Sequence, residues 1–202
     1  MIFKRKNEQE DLQELLDRVE RLQVEALQSR MPGEASIALN QAGDILLRTG
    51  DLFTALEMYG RAVDNLVEAD RFEAATALCR KIIRTAPAVV RARCTLTWLA
   101  IGAGFTAEVE QRVNDYIFAA EFAGRQKLAA AQLKCMSTVV DMHEVRLMLA
   151  EYLLRLGDDR GADALFGEVF EERNRGTLRM IDQEQRWRDV RRAALTTIRT
   201  AA

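Results

Sequence analysis

The sequence is poor in the residues that most metal sites and catalytic sites use. It contains one histidine, two prolines and three cysteines among 202 residues, and aromatic residues make up only 6 %. The single histidine, His143, excludes most metal sites and Ser-His-Asp arrangements, because these need several ligands or three partner residues. The few prolines and the eleven glycines argue against collagen-like chains, disordered chains and turn-rich β-sandwiches. We therefore expect a helical protein with no metal and no cofactor.

The cysteines and the apolar runs bear on the location of the protein. Cys79, Cys94 and Cys135 are an odd number, lie far apart and form no CxxC pair, which is typical of buried thiols in a reducing compartment. Residues 1–6 include three basic side chains, but an acidic amphipathic run follows them, so we expect no signal peptide. The longest apolar stretch, 94–105, is well short of the roughly 20 residues of a transmembrane helix. The sequence predicts a cytoplasmic protein.

Positive and negative charges are nearly balanced. The chain has 29 basic and 31 acidic residues, for a net charge of -2 at pH 7. This excludes nucleic-acid binding through overall charge, and we expect neither nucleic acid nor a membrane as the main partner. Apolar residues make up 49 % of the chain, enough to form the core of one globular unit or two small ones without disulfides.

Apolar residues recur every three or four positions along almost the whole chain, a spacing typical of amphipathic helices. Two turns have the same form, Gly50-Asp51 and Gly157-Asp158, in which glycine ends one helix and aspartate caps the next. The predicted helices span residues 8–29, 34–48, 52–68, 72–85, about 88–102, 106–122, about 125–140, 142–156, 159–173 and a last segment after Gly176.

Short turns fix how these helices pack. Turns of about two to four residues join antiparallel neighbours, because longer crossovers need more chain. We therefore predict an all-α fold, an antiparallel helix-hairpin solenoid of about ten helices with N- and C-terminal capping helices. Asp141 with Glu144 three residues later has the form of a capping box at one helix start. The predicted segments are an amphipathic helix at 1–30, the solenoid at 34–175 and a basic helix at 177–202.

Small and large residues alternate around both glycine-aspartate turns. The first set is Leu39, Ala42, Gly43, Leu46, Ala55, Tyr59 and Ala62, and the second is Leu149, Ala150, Leu153, Ala162, Phe166 and Val169. Gly43 and Ala55 are small where two helices approach most closely, whereas Tyr59 fills the wedge between them. This pattern resembles the tetratricopeptide repeat, with two clear repeats and two degenerate ones between residues 34 and 175.

The resemblance implies a concave surface, formed by the first helix of each hairpin, that receives a peptide or helix of another protein. The chain would then be a non-enzymatic scaffold or adaptor with a protein partner. Trp98 is the predicted anchor, because aromatic side chains often dominate binding energy, and burial in the core is the alternative. The resemblance places Asn40, Asp44, Leu47, Arg48, Arg91, Thr95, Trp98, Leu147, Met148 and Glu151 on the binding surface.

The last segment is a basic amphipathic helix. Between residues 173 and 202 there are eight arginines and three acidic residues, with apolar residues on roughly one side. Such a helix either caps the apolar end of a solenoid or binds an acidic protein, a membrane or nucleic acid. The second possibility gives the alternative function, a peripheral regulator. Its binding residues would be Arg186, Arg188, Arg191 and Arg192.

The first helix has its own apolar seam. The residues at 3-4 spacing are Leu12, Leu15, Val19, Leu22 and Ala26. This seam predicts either a cap on the first hairpin or pairing with another copy of the chain as a homo-oligomer.

Two patterns that include the histidine partly match enzyme motifs. His143-Glu144 begins like the helix of a zinc protease, but Leu147 stands where the second metal ligand belongs. A pairing of His143 with Cys135 lacks a third, orienting group. We therefore predict a protein without enzymatic activity.

Overall fold

The structure is a computed structural model that describes residues 2–104, 106–176 and 182–199. This part of the chain forms ten α-helices and no β-strand, which confirms the predicted all-α fold. The helices are α1 (Ile2–Gln28), α2 (Pro32–Thr49), α3 (Leu52–Glu68), α4 (Phe72–Thr85), α5 (Val90–Ala103), α6 (Thr106–Phe122), α7 (Gln126–Val139), α8 (His143–Arg155), α9 (Asp159–Asn174) and α10 (Gln183–Arg199).

The chain divides into two compact units, Met1–Ile82 and Ile83–Ala202. The boundary falls within α4, inside the predicted 34–175 segment. In the first unit α2 packs against both α1 and α3. In the second unit α5, α6, α7 and α8 each pack against the next helix in the sequence. Sequence-adjacent helices therefore form antiparallel pairs, as predicted.

Both glycine-aspartate turns have the predicted geometry. Gly50 and Gly157 have φ angles of 90° and 78°, in the left-handed region that glycine adopts without a Cβ clash. The carboxylates of Asp51 and Asp158 each accept a hydrogen bond from the backbone N–H three residues later, at 3.0 and 3.1 Å. These interactions end one helix and begin the next, which is why local sequence predicted their bounds.

The core of the first unit depends on small residues between α2 and α3. The Tyr59 ring is fully buried against Gly43, where an added Cβ would lie 2.5 Å from Cε1 of the ring. Ala55 and Ala62 are also fully buried. The absence of larger side chains allows the two helices to approach closely, as the sequence predicted.

Helix α1 covers α2. Val19, Leu22 and Ala26 of the predicted seam are buried, whereas Leu12 is exposed and Leu15 is half-buried. Most of the seam is therefore occupied within the chain, which supports its predicted role as a cap.

The beginnings of two helices differ from the predictions. Pro32 is the first residue of α2, two residues before the predicted start, because its fixed φ angle suits that position. The predicted capping box at α8 is wrong. The N-cap residue is Met142, which makes no side-chain cap, and the Asp141 carboxylate instead accepts a hydrogen bond from Arg186 Nη2 at 2.5 Å.

Helix α10 covers α5 and α7 in the second unit. Residues 177–181 and 200–202 of the predicted basic helix lie outside the described residues. Val190 is fully buried, and the Trp187 indole lies where a Cβ at Gly102 would be 2.3 Å from Cζ3. The sequence left open whether this helix caps the apolar end of the solenoid or binds a partner, and in the structure it packs against α5 and α7.

Candidate functional site

The predicted binding residues of α2 lie at the surface of the first unit. Asn40, Asp44 and Leu47 are half-buried and Arg48 is exposed. Two of them bind a lysine of α4: Lys81 Nζ donates to Asn40 Oδ1 at 2.9 Å and forms an ion pair with Asp44. The sequence did not indicate this pairing, because residues 44 and 81 are far apart in the chain.

Asp44 is the centre of a charged cluster that joins three helices. Tyr59 Oη donates to Asp44 Oδ1 at 2.5 Å, and Lys81 Nζ lies 4.4 Å from the centroid of the Tyr59 ring. Partial burial alone would raise the pKa of Asp44, but hydrogen bonds from Lys81 and Tyr59 hold that pKa below its ordinary value. Burial and the neighbouring carboxylate raise the pKa of Tyr59. The cluster therefore stabilises contacts among α2, α3 and α4.

The prediction that Trp98 anchors a partner is wrong. Trp98 is 0 % exposed, and its Nε1 donates to Gln132 Oε1 at 3.1 Å. Thr95, predicted to lie beside it on the binding surface, is also buried, and only Arg91 is partly exposed. Helix α5 packs against α6, α7 and α10, so the face assigned to binding lies in the core of the second unit.

A polar cluster surrounds the buried Gln132. Its Oε1 accepts from Trp98, and Cys94 Sγ donates to the same oxygen at 3.8 Å. Burial raises the pKa of the Cys94 thiol to about 12, so the thiol stays protonated at neutral pH and is a poor nucleophile. Burial also raises the pKa of Tyr116. This cluster satisfies polar groups in the core.

The predicted residues of α8 reach the surface of the second unit. Leu147 and Met148 are half-buried and Glu151 is exposed. One turn further on, Tyr152 Oη and the Arg155 guanidinium contact α6. The tyrosine donates to Asn114 Oδ1 at 3.3 Å, and the arginine donates to both Glu121 oxygens at 2.9 and 2.5 Å.

Two phenylalanines of α6 lie next to these contacts. Phe118 is 66 % exposed and Phe122 is 82 % exposed. Phe118 lies one turn after Asn114, and Phe122 directly follows Glu121, so both phenylalanines lie near the junction with α8. We give the name α6–α8 surface to the exposed phenylalanines of α6 together with the surface residues of α8. Its members are Phe118, Phe122, Leu147, Met148 and Glu151.

Sequence reasoning missed the phenylalanines because it assigned the binding face to α5. A signal was present, since two phenylalanines four residues apart lie on one side of a helix. The core of α6 is formed by other residues, which are fully or almost fully buried. These are Val109, Val113, Tyr116, Ile117 and Ala120.

A buried arginine joins α8 to α9. Arg146 is fully buried, and its guanidinium forms ion pairs with Glu168, at 2.7 Å, and with Glu172. His143, the first residue of α8, has its Nε2 atom 3.2 Å from Glu172 Oε2. This histidine therefore belongs to an interhelical charged cluster, and the periodicity of the sequence does not indicate the cluster.

The basic residues of α10 have different environments. Arg186 pairs with Asp141 and is largely buried, so the prediction that it belongs to a free basic surface is wrong. Arg188 and Arg192 are exposed, and Arg191 is half-buried. Docking of α10 places Arg186 against Asp141, in the turn between α7 and α8, and leaves Arg188 and Arg192 exposed.

The described residues include no group of three or more His, Cys, Asp or Glu side chains that could hold a metal ion. None of the helices in this part of the chain has the length and apolarity needed to cross a membrane. Comparison with protein-family models, with curated proteins and with solved structures gave no match. The fold defines the class of protein, an all-α protein of packed antiparallel helix pairs.

Proposed function

We propose that the protein is a non-enzymatic interaction module of tetratricopeptide type, which holds a peptide or helix of a cytoplasmic partner protein on the α6–α8 surface. The observation that carries the proposal is the exposure of Phe118 and Phe122 next to the junction of two packed helices. Aromatic side chains are enriched among the residues that dominate binding energy at protein interfaces. Two phenylalanine side chains that are exposed to solvent on one helix are suited to anchoring a partner protein.

The chemistry of the surface indicates the kind of segment it would bind. Two apolar side chains one turn apart on α6 match apolar side chains at similar spacing on a partner helix. The exposed Glu151 and the Glu121–Arg155 ion pair lie on neighbouring turns and supply a polar rim. We expect the partner segment to present apolar anchors with a basic residue beside them, to pair with Glu151.

The packing of the first unit supports the assignment of the repeat type. A Cβ added at Gly43 would lie 2.5 Å from Cε1 of the Tyr59 ring, and Ala55 and Ala62 are fully buried. The tetratricopeptide pattern has small residues at the positions of Gly43, Ala55 and Ala62 and a large residue at the position of Tyr59. The Gly-Asp turn recurs in the second unit between α8 and α9.

Affinity capture from the native host tests the proposal. The bait is the full chain as wild type, as Phe118→Ala/Phe122→Ala, and as the control Phe53→Ala, which removes an equally exposed phenylalanine of α3. We expect the double variant to capture at least about tenfold less of a partner protein than the wild type does, a change of about 1.4 kcal/mol. The control should capture as much of it as the wild type. Circular dichroism should show unchanged helix content. Undiminished capture by the double variant would overturn the proposal.

The alternative function, a peripheral regulator that binds an acidic surface through α10, has less support. A membrane-bound amphipathic helix inserts its apolar side, whereas α5 and α7 cover that side of α10 through Trp187 and Val190. The exposed Arg188 and Arg192 remain as its candidate contacts. Loss of salt-sensitive partner binding in Arg188→Glu/Arg192→Glu, with binding kept in the phenylalanine variant, would favour this function instead.

A further inference from the structure

An open groove of about 680 Å³ lies at the exposed side of α1, near the end of the helix. We call it the acidic groove. It is lined by residues of α1, by the turn that follows and by the start of α2, namely Asp17, Glu20, Arg21, Val24, Glu25, Gln28, Ser29 and Glu34. The groove belongs to the first unit and the α6–α8 surface to the second, so an inference about the groove goes beyond the proposed function.

The acidic groove carries an excess of negative charge. Its lining has four carboxylates and one guanidinium, and residues 11–34 as a whole have six acidic and three basic side chains. Two of the carboxylates accept hydrogen bonds from uncharged groups. Gln13 Nε2 donates to Asp17 at 2.9 Å, and Ser29 Oγ donates to Glu34 at 3.3 Å. Among the described residues, no ion pair includes a carboxylate of the groove. The negative charge of the groove is therefore available to a partner.

Apolar side chains border the acidic groove. Val24, one of its lining residues, is 49 % exposed, and Leu27 is 74 % exposed. At 100° per residue, Leu16, Val24 and Leu27 lie within a sector of about 80° on α1. We call these three residues the outer stripe, and Glu20 of the groove lies within the same sector. The apolar seam of α1 lies in a different sector, and its buried members pack on α2. Exposed apolar side chains next to one another mark interaction surfaces.

We infer that the acidic groove and the outer stripe together bind an amphipathic helix of a partner protein that has lysines or arginines along one edge of its apolar side. Carboxylates that lose water on binding need positively charged partners, because an unpaired charge in an interface is costly. The leucines and the valine of the stripe need apolar side chains opposite them. A helix with both kinds of side chain on adjoining sides meets the two requirements at once.

Other classes of ligand fit this surface less well. The carboxylates would repel the phosphates of nucleic acids and of anionic lipids. An extended peptide that pairs through its backbone needs the free edge of a sheet, whereas the backbone groups of α1 are bonded within the helix. Leu16 and Leu27 are about 16 Å apart along the axis of α1, which corresponds to about three turns of a partner helix.

Fluorescence anisotropy of a labelled synthetic peptide tests the inference on the full chain. The peptide consists of leucine and lysine, is about 18 residues long and has leucines every three or four positions, so that they form one side of a helix. A second peptide has glutamate in place of lysine. We expect the wild-type chain to bind the lysine peptide at least about tenfold more tightly than the glutamate peptide, and less tightly as salt is added. If the chain binds the lysine peptide no better than the glutamate peptide, the inference is wrong.

Two charge variants test whether the lysine peptide binds at the acidic groove. Glu20→Gln/Glu25→Gln removes two carboxylates of the groove and should lower the affinity for the peptide by at least about fivefold. The matched control Glu68→Gln/Glu73→Gln removes two exposed carboxylates elsewhere in the first unit, also five residues apart, and should bind like the wild type. Equal losses of affinity in the two variants would mean that the peptide responds only to net charge, which would overturn the inference.

The outer stripe has its own variant. Val24→Gln/Leu27→Gln places amides opposite the leucines of the peptide and should also lower the affinity by at least about fivefold. Phe53→Gln, which removes an exposed apolar side chain of α3, should have no effect. An unchanged affinity of the stripe variant would contradict the inference, because binding would then need no apolar contact. Circular dichroism shows that each variant keeps its helix content.

A second copy of the chain is the other occupant to be tested. Sedimentation velocity of the wild-type chain without peptide measures its self-association, and we expect no self-association that depends on the groove or the stripe. A dimer that both Glu20→Gln/Glu25→Gln and Val24→Gln/Leu27→Gln abolish would show that another copy covers this surface, in place of a basic helix of a partner protein.

Discussion

The Trp187 indole occupies the space that a side chain at Gly102 would need, since a Cβ there would lie 2.3 Å from Cζ3 of the ring. Gly102 is the penultimate residue of α5, and its lack of a side chain allows the close approach of α10 to α5. One missing side chain thus sets where the last described helix of the second unit docks.

We predict that Gly102→Leu destabilises the protein by about 2 kcal/mol, because the new side chain displaces Trp187. Urea denaturation followed by circular dichroism measures this change, and limited proteolysis should show faster cleavage near α10. The matched control is Gly167→Leu in α9, where an added Cβ meets no atom within 4 Å. The control should be neutral or slightly stabilising. Equal effects of the two substitutions would contradict the prediction.

A similar test applies to the α2–α3 interface. Gly43→Ala places a methyl group 2.5 Å from the Tyr59 ring and should destabilise the first unit by about 2 kcal/mol. Tyr59→Leu should also be destabilising, because it removes a buried ring and its hydrogen bond to Asp44. The double variant should be more stable than the sum of the two effects predicts, since the clash needs both residues. If the two effects on the free energy of unfolding are strictly additive, Tyr59 is not the reason why residue 43 has to be a glycine.

Two substitutions of the buried Arg146 separate the contribution of its charge to stability from the contribution of its volume. Arg146→Ala leaves a cavity and removes one ion-pair partner from each of Glu168 and Glu172, so we expect a loss of about 3 kcal/mol in the free energy of unfolding. Arg146→Met keeps most of the volume and should cost less, because packed apolar side chains often replace buried ion pairs at little cost. Thermal and urea denaturation of both variants measure the difference. A methionine variant as unstable as the alanine variant would mean that the charge itself is required.

The ion pair of Asp44 predicts a dependence of stability on pH. The folded chain holds the pKa of Asp44 below its ordinary value of 3.8, so the unfolded chain takes up this proton first as the pH falls. The contribution to stability is therefore complete well above 3.8 and is lost as the pH falls through 3.8 towards the folded pKa. The difference in unfolding free energy between wild type and Asp44→Asn should shrink over this range. Urea denaturation at several pH values measures it.

The control for this experiment is Glu57→Gln, an exposed carboxyl of α3 in the same unit. This variant should differ little from the wild type in unfolding free energy, because substitutions of exposed side chains usually change it by less than about 0.5 kcal/mol. A constant difference between wild type and Asp44→Asn below pH 4 would mean that the carboxylate contributes nothing beyond the hydrogen bonds that asparagine also makes.

Most of the helix bounds could be predicted because local interactions fix them. The turn at Gly50-Asp51 needs only a left-handed glycine and a carboxylate that caps the next helix, and both are visible in the sequence. The bounds of α3 and α4 also match the prediction. The capping box at Asp141 failed although its local pattern was correct. Its carboxylate pairs with Arg186, which lies 45 residues away.

The binding surface was harder to predict because burial depends on distant parts of the chain. The resemblance to the tetratricopeptide repeat implied that Trp98 lies on the binding surface, but α6, α7 and α10 pack against its helix and the side chain is buried. No turn signal predicts that α10 packs against α5, because a contact between residues far apart in the chain leaves no local sequence pattern. In contrast, the α8 residues Leu147, Met148 and Glu151 do reach the surface, since the hairpin that carries them is regular.

The docking of α10 on α5 affects how the second unit is made during translation. Gly102 and Trp187 are 85 residues apart, and at roughly 5–20 residues per second the ribosome needs about 4–17 s between them. During this interval the side of α5 that receives Trp187 is uncovered. The apolar side of α5 therefore stays exposed until α10 has been synthesised. During this interval the growing chain is most in need of a chaperone.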